Sequence, residues 1–139
     1  MVLLDTNVLS ELMRPAPNPN VVQWLDGWPA AEIWISSITV AEIFLGIQLM
    51  ADGRRKSNLL QTAETIFHED FADRCLPFDA LAARHYADIV TARKESGRPV
   101  TVEDAQIAAV AKSCRLLLAT RNTKDFEGID DLTLINPWD

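Results

Sequence analysis

Four short phrases hold the side chains that could do chemistry: Leu3-Leu4-Asp5-Thr6-Asn7, Thr39-Val40-Ala41-Glu42, Thr101-Val102-Glu103-Asp104 and Ala119-Thr120-Arg121-Asn122. Each sets an acid, or in the last an amide, where an apolar strand gives way to a helix or where a helix begins. Carboxylates are hard oxygen ligands. Several in one pocket suit Mg²⁺ or Mn²⁺, which keep several waters and often bridge to phosphate. The chemistry this predicts is metal-assisted attack of water on a phosphodiester, the metal also offsetting charge on the scissile phosphate. Two carboxylates roughly 4 Å apart repel by about 4 kcal/mol at an effective dielectric of about 20, so three converging acids call for a cation.

A plainer reading competes for two of the three acids. Thr39-x-x-Glu42 and Thr101-x-x-Asp104 both match the capping-box pattern. The helix dipole also favours acids in a first turn. Asp5 has no such account. It follows an apolar strand directly, no Lys or Arg lies near it in sequence, and a buried ionised carboxylate needs a partner.

The elements that must position these residues alternate along the chain. Strands are expected at residues 2–4, 33–35, 75–78, 116–119 and 132–135, from short apolar or β-rich runs. Helices are expected at 7–13, 20–28, 38–50, 54–69, from Asp79 as cap to Ser96-Gly97, and 101–113. Alternation of this kind predicts a mainly parallel sheet covered on both faces. The carboxyl ends of its strands then share one edge, which brings Asp5, Glu42, Asp104 and Asn122 together where open α/β sheets bind ligands.

The chain has 139 residues, 48% hydrophobic and 24% charged, which fits one domain spanning 1–139. The net charge of −7 argues against a protein that coats nucleic acid, because that takes clustered cations. It leaves room for an enzyme that touches nucleic acid through a metal. No apolar run nears the roughly 20 residues a membrane span needs. Asp5 follows the first strand too soon for a secretory leader, so the expected location is the cytoplasm. Cys75 and Cys114 have no metal spacing and are expected as buried free thiols.

At these residues the chain resembles the PIN-domain ribonucleases, in particular the VapC-like toxins of type II toxin–antitoxin pairs, with its closest look to their FitB branch. The resemblance runs from Leu4-Asp5-Thr6-Asn7-Val8 with Ser10-Glu11, through Ser37-x-Thr39-Val40-Ala41-Glu42 and Leu45-Gly46, to Asp104-x-x-Ile107-Ala108-Ala109. It continues through Ala119-Thr120-Arg121-Asn122 and Asp125-Phe126 to Asn136-Pro137-Trp138. It implies a three-layer α/β/α fold on a central sheet of four to five strands, and Mg²⁺-dependent cleavage of RNA to 3′-hydroxyl and 5′-phosphate ends, with Mn²⁺ an alternative metal. Asp5 and Asp104 match the family's metal-binding acids, and Glu42 the third, which often acts through a metal-bound water. The fourth position, often Asp, is Asn122, whose amide ligates or hydrogen-bonds without adding charge and so weakens a second metal site. Thr6, Ser37 and Thr120 are candidates to orient the acids or hold a phosphate oxygen. Asp125 is either a substitute acid or a helix cap. The resemblance also implies a homodimer and a DNA-binding antitoxin. The antitoxin would present Arg or Lys to the acidic pocket and lie in an apolar groove of the second to fourth helices.

Two other functions compete. A receiver-type phosphoacceptor fits the length and places Asp79 after the third strand, but its first strand would end in an adjacent acid pair, and here it ends in Asp5 alone. A catalytically idle binding protein of the same fold has only Asn122 in its favour.

Overall fold

Val2, Leu3 and Leu4 have no exposed surface, and the fold is organised around them. The computed structural model describes residues 1–139. Its elements are β1 (Val2–Leu4), α1 (Thr6–Leu12), α2 (Pro19–Asp26), β2 (Ile33–Ser36), α3 (Ser37–Gln48) and α4 (Arg54–Thr65). They continue as β3 (Cys75–Leu76), α5 (Ala80–Glu95), α6 (Val102–Cys114), β4 (Leu117–Ala119), α7 (Thr123–Phe126) and β5 (Leu134–Ile135). The five strands pair in the order β3-β2-β1-β4-β5, and every pairing is parallel.

Side chains alternate across a strand with period two, and the sheet uses both faces. Val2 and Leu4 pack with Val8, Leu9, Val21, Ile43 and Ile47 from α1, α2 and α3. Leu3 and Leu118 pack on the opposite face with Ala82 and Ile89 of α5 and the small apolar run of α6. Three layers, α/β/α, follow. Each buried Leu or Ile contributes roughly 1.5–3 kcal/mol, which explains why three-residue strands suffice here.

The strand order matters for function. The chain moves outward from β1 through β2 to β3, then crosses back to lay β4 on the other side of β1. The reversal leaves a crevice beyond the carboxyl ends of β1 and β4, the switch point at which such sheets bind ligands. A receiver domain follows a different order, 2-1-3-4-5, which sets that reading aside.

Local sequence explains most helix ends. Asn18 caps α2 ahead of Pro19, and Asp79 caps α5 as expected, its Oδ1 accepting the Ala82 N–H at 2.9 Å. Gly97 closes α5 at φ 71°, a conformation that costs glycine least.

Four expectations need correction. The helix anticipated over 54–69 ends as α-helix at Thr65 and continues as a wider π-helical turn, Ile66–Asp70. The third strand covers only Cys75–Leu76, because it pairs with β2 alone at the sheet's edge. Both cysteines are exposed: Cys75 lies on that edge and Cys114 ends α6, so neither reaches the core. Asp125 is not a cap. Asn122 takes the capping position of α7 and Asp125 sits in its first turn. No helix is long and apolar enough to cross a membrane.

Candidate active site

A cleft of about 500 Å³ opens at the carboxyl edge of β1 and β4, and Asp5, Glu42, Asp104 and Asn122 all line it. Four segments far apart in sequence thus deliver their polar side chains to one place, as strand–helix alternation predicts. Thr6, Asn7, Ser10, Glu11, Arg14, Arg121 and Trp138 complete the wall.

Asp5 is the best-held of the acids. Its backbone N–H continues the β1–β4 pairing onto the Ala119 carbonyl at 2.9 Å. Its Oδ1 accepts the Thr6 N–H at 2.8 Å and thereby caps α1. Its Oδ2 accepts the Thr120 hydroxyl at 2.7 Å and the Asn7 amide at 3.2 Å. The residue is only 4% exposed. Burial pushes its carboxyl up to about 6; Thr120 and Thr6 oppose the rise, and the charges of Asp104 and Glu42 add to it. The causes include no cation.

Glu42 is free of the capping role its sequence allows. The N-cap of α3 is Ser36, whose Oγ accepts the Thr39 N–H. Thr39 lies within the helix, and Glu42 is a turn too far along to reach back. Its Oε1 instead accepts the Thr6 hydroxyl at 2.6 Å, across 36 residues of sequence. Asp104 keeps half of its capping box: Thr101 caps α6 by accepting the Asp104 N–H, which leaves the carboxylate to face the cleft. Burial holds that carboxyl above the usual range, Thr101 opposing the rise and the charges of Asp125, Glu42 and Glu103 adding to it.

The hydroxyls divide. Thr6 and Thr120 are spent on orienting acids, and Thr120 is fully buried, so it cannot touch a substrate. Ser37 is not part of the site. It opens α3 beside β3, where its Oγ accepts the Phe78 N–H. Asn122 donates its backbone N–H to Thr120 Oγ1 at 3.1 Å and makes no side-chain capping bond. Asp79 is occupied as the cap of α5 and lies outside the cleft.

Residues 2–132 match the PIN domain. The chain belongs to the PIN-domain family. This PIN domain is similar to Toxin FitB of Neisseria gonorrhoeae, with 44% identity over 138 residues, 99% of each chain. It is similar also to VapC ribonuclease Y4jK of Sinorhizobium fredii, with 39% identity over 139 residues that cover 100% of this chain and 99% of the relative. The solved structure of FitAB bound to an IR36 DNA fragment matches at a TM-score of 0.92 and 42% identity, over 100% of this chain and 96% of that one.

The cleft of this PIN domain has the donor chemistry of a hard-metal site. The donors are all oxygens, and three carboxylates with two raised pKa values leave negative charge for a cation to offset. That chemistry suits Mg²⁺. The acids do not yet form a closed ligand group, since no three His, Cys, Asp or Glu side chains stand close enough to hold one ion. Thr120 and Asn7 draw Asp5 back, and Thr6 draws Glu42 aside.

Sequence reasoning assigned no role to Asn7, Glu11, Arg14, Arg121 or Trp138, although four of them sit inside the quoted motifs or beside them. Asn7 bridges the site, donating to Asp5 and accepting the Arg121 N–H at 3.3 Å. Glu11 is buried, and the Asn18 N–H and then Arg14 hold its carboxyl below the usual range against burial. A larger groove of about 1000 Å³ adjoins the cleft between α1, α3 and α4, lined by Met13, Ile43, Ile47, Met50 and Leu59. It shares Thr6, Ser10, Arg14 and Glu42 with the cleft. The groove anticipated from helices two to four therefore uses α1 in place of α2, while Trp24 and Phe67 pack against the core.

Behind the site, Arg93 of α5 is only 6% exposed. Its guanidinium donates to the Asp125 and Glu127 carbonyls, tying down the end of α7 whose other end carries Asn122. Arg93→Ala leaves those carbonyls unpaired and is expected to cost about 2 kcal/mol of stability, read by urea unfolding.

Proposed function

We propose that this PIN domain is the toxin of a type II toxin–antitoxin pair and a Mg²⁺-dependent endoribonuclease of the cytoplasm. One observation carries the reading. Asp5, Glu42 and Asp104 arrive from three separate segments at the switch point of the sheet, and burial, with Asp104 and Glu42 nearby, pushes the Asp5 carboxyl up to about 6. The relatives named toxin and ribonuclease support it.

Asp5 and Asp104 would hold the metal directly and Glu42 through a water. Bound Mg²⁺ supplies the charge that offsets the carboxylates and the acidity that turns water into a nucleophile at neutral pH. The chain itself does the positioning. Thr120 and Thr6 fix the rotamers of Asp5 and Glu42, and Asn122 offers an uncharged amide at the rim, which favours a single strongly held ion. No His or Lys is required as base. His68 pairs with the surface residue Glu64, and neither His68 nor His85 lines the cleft.

The partner in this reading is a DNA-binding antitoxin. A helical segment would lie in the apolar groove and hand an Arg or Lys to the adjoining acids, silencing the site by neutralising it. Two toxin chains would form a homodimer.

The purified protein is expected to cut RNA in Mg²⁺, leaving 5′-phosphate ends, to stop in excess EDTA, and to recover when Mg²⁺ is restored. Incubation with transfer, ribosomal and messenger RNA, resolved on denaturing gels, checks this. If no Mg²⁺-dependent product forms from any of them, the reading is wrong.

A further inference from the structure

The cleft is lined by four acids, Asp5, Glu11, Glu42 and Asp104, and by two cations, Arg14 and Arg121. A polyanion entering it meets a repulsive field, so cations on the wall matter for binding. Arg14 is already committed, its guanidinium donating to both Glu11 oxygens at 3.2 and 3.3 Å. Arg121 is different. It takes part in none of the ion pairs, and its influence on Glu11 is the weakest of those acting on that carboxyl. Its guanidinium lies over the Trp138 ring, 5.1 Å from the centroid. A guanidinium carries five N–H donors and keeps its charge at any physiological pH.

The backbone around it is fixed. The Arg121 N–H donates to Asn7, whose amide reaches Asp5 Oδ2. Arg121 also follows Thr120 directly, and Thr120 holds the same carboxylate. Trp138 is fixed as well. Its N–H donates to Asn136 Oδ1 at 2.9 Å, its carbonyl accepts the Asn20 amide at 3.1 Å, and the residue packs against the core beneath β1. A long, flexible side chain is thus laid on an aromatic plate at a set remove from Asp5. A cation held there with its donors unspent selects an anion.

We propose that Arg121 is a substrate-binding residue that grips a phosphate of single-stranded RNA next to the scissile one, and that Trp138 is the positioning residue that holds it ready. The proposal rests on the ribonuclease reading above. It adds which side chain outside the acidic set holds the strand, and why the last residues of the chain fold back over the cleft.

The test uses the full chain and a fluorescent single-stranded oligoribonucleotide. Binding is measured by anisotropy in EDTA in the Asp5→Asn background, so that the RNA stays intact during the reading, and cleavage is measured in Mg²⁺ with Asp5 intact. Arg121→Gln is expected to weaken binding about tenfold and to lower the slope of log affinity against log salt by about 0.7, the share of one single-strand phosphate contact. Its KM is expected to rise by a similar factor with kcat within about twofold, since the residue binds without joining the chemistry. Arg121→Lys keeps the salt slope. Trp138→Ala is expected to weaken binding about fivefold, and Trp138→Phe, which still offers a ring face to a cation, to restore most of it. Arg121 is exposed, so its variants leave the core alone and carry the test even if Trp138→Ala fails to fold. If the wild type cuts RNA and Arg121→Gln shows an unchanged KM and salt slope, the assignment of Arg121 is wrong and the ribonuclease reading stands. If the wild type neither binds nor cuts RNA, both fall together.

Discussion

Asp104→Asn and Asp5→Asn are each expected to slow Mg²⁺-dependent RNA cleavage by on the order of a thousandfold. The change removes one anionic oxygen ligand while keeping the shape of the side chain. Losing a charge on the ion that stabilises the reacting phosphate costs several kcal/mol, at roughly 1.4 kcal/mol per factor of ten. The structure separates this loss from misfolding. The cap of α6 uses the backbone N–H of Asp104 and the hydroxyl of Thr101, and both survive in Asp104→Asn. Its melting temperature should stay close to that of the wild type while its rate collapses. Glu42→Gln should lose less, because the Thr6 hydroxyl still fixes its side chain and the proposed reading has it reach the metal through a water. Initial rates on a labelled RNA, taken beside thermal melts, decide the matter. A folded Asp104→Asn protein that cuts at a tenth of the wild-type rate or faster would remove Asp104 from the metal set.

The second large effect concerns stability. In EDTA, Asp5 is expected to make folding less favourable by about 2 kcal/mol as pH rises from 4 to 7, because its carboxyl is lifted from 3.8 to about 6 by folding. Below pH 3.8 the carboxyl is protonated in both states and costs nothing. Between 3.8 and 6 the unfolded chain releases the proton and the folded chain keeps it, so stability falls across that window and levels off above it. Asp104, raised for the same chief reason, adds to the fall. Glu11 acts oppositely. Its carboxyl is lowered by folding, so its contribution is present above the ordinary range and lost as pH drops through the folded value. Urea unfolding across this range should therefore show the wild type losing ground to Asp5→Asn as pH rises. Saturating Mg²⁺ should close the gap for the wild type alone, by about 2.7 kcal/mol at a hundredfold excess over its dissociation constant. A wild type and an Asp5→Asn variant that run parallel from pH 4 to 7 would show that the buried carboxyl carries no such burden.

Both effects trace to a site that destabilises the chain carrying it. Folding buries carboxylates close to one another, and hydroxyl and amide donors oppose that cost in part: Thr6, Thr120 and Asn7 around Asp5 and Glu42. Those donors fix where the acids point as well as stabilising them.

What the sequence determined by itself is the layout. Short continuous apolar runs and intervening helices follow from local side-chain preferences, and they specify a parallel sheet with every strand's carboxyl end on one edge. That placed Asp5, Glu42, Asp104 and Asn122 together without knowledge of strand order. Tertiary structure alone decided what each side chain touches. The capping-box pattern at Thr39 does not cap α3, because Ser36 takes the cap and leaves Glu42 free. Ser37 fell outside the site by facing β3. Thr120 found Asp5, and Arg121 found Asn7, only because β4 crosses back to lie against β1, joining residues 115 and 114 positions apart, and Trp138 reaches Arg121 because β5 pairs with β4 on the other side. A hydrogen bond or an ion–ring contact is set by the last few ångströms of packing. Neighbours along the chain do not encode it, whereas the alternation that builds the frame is written in them residue by residue.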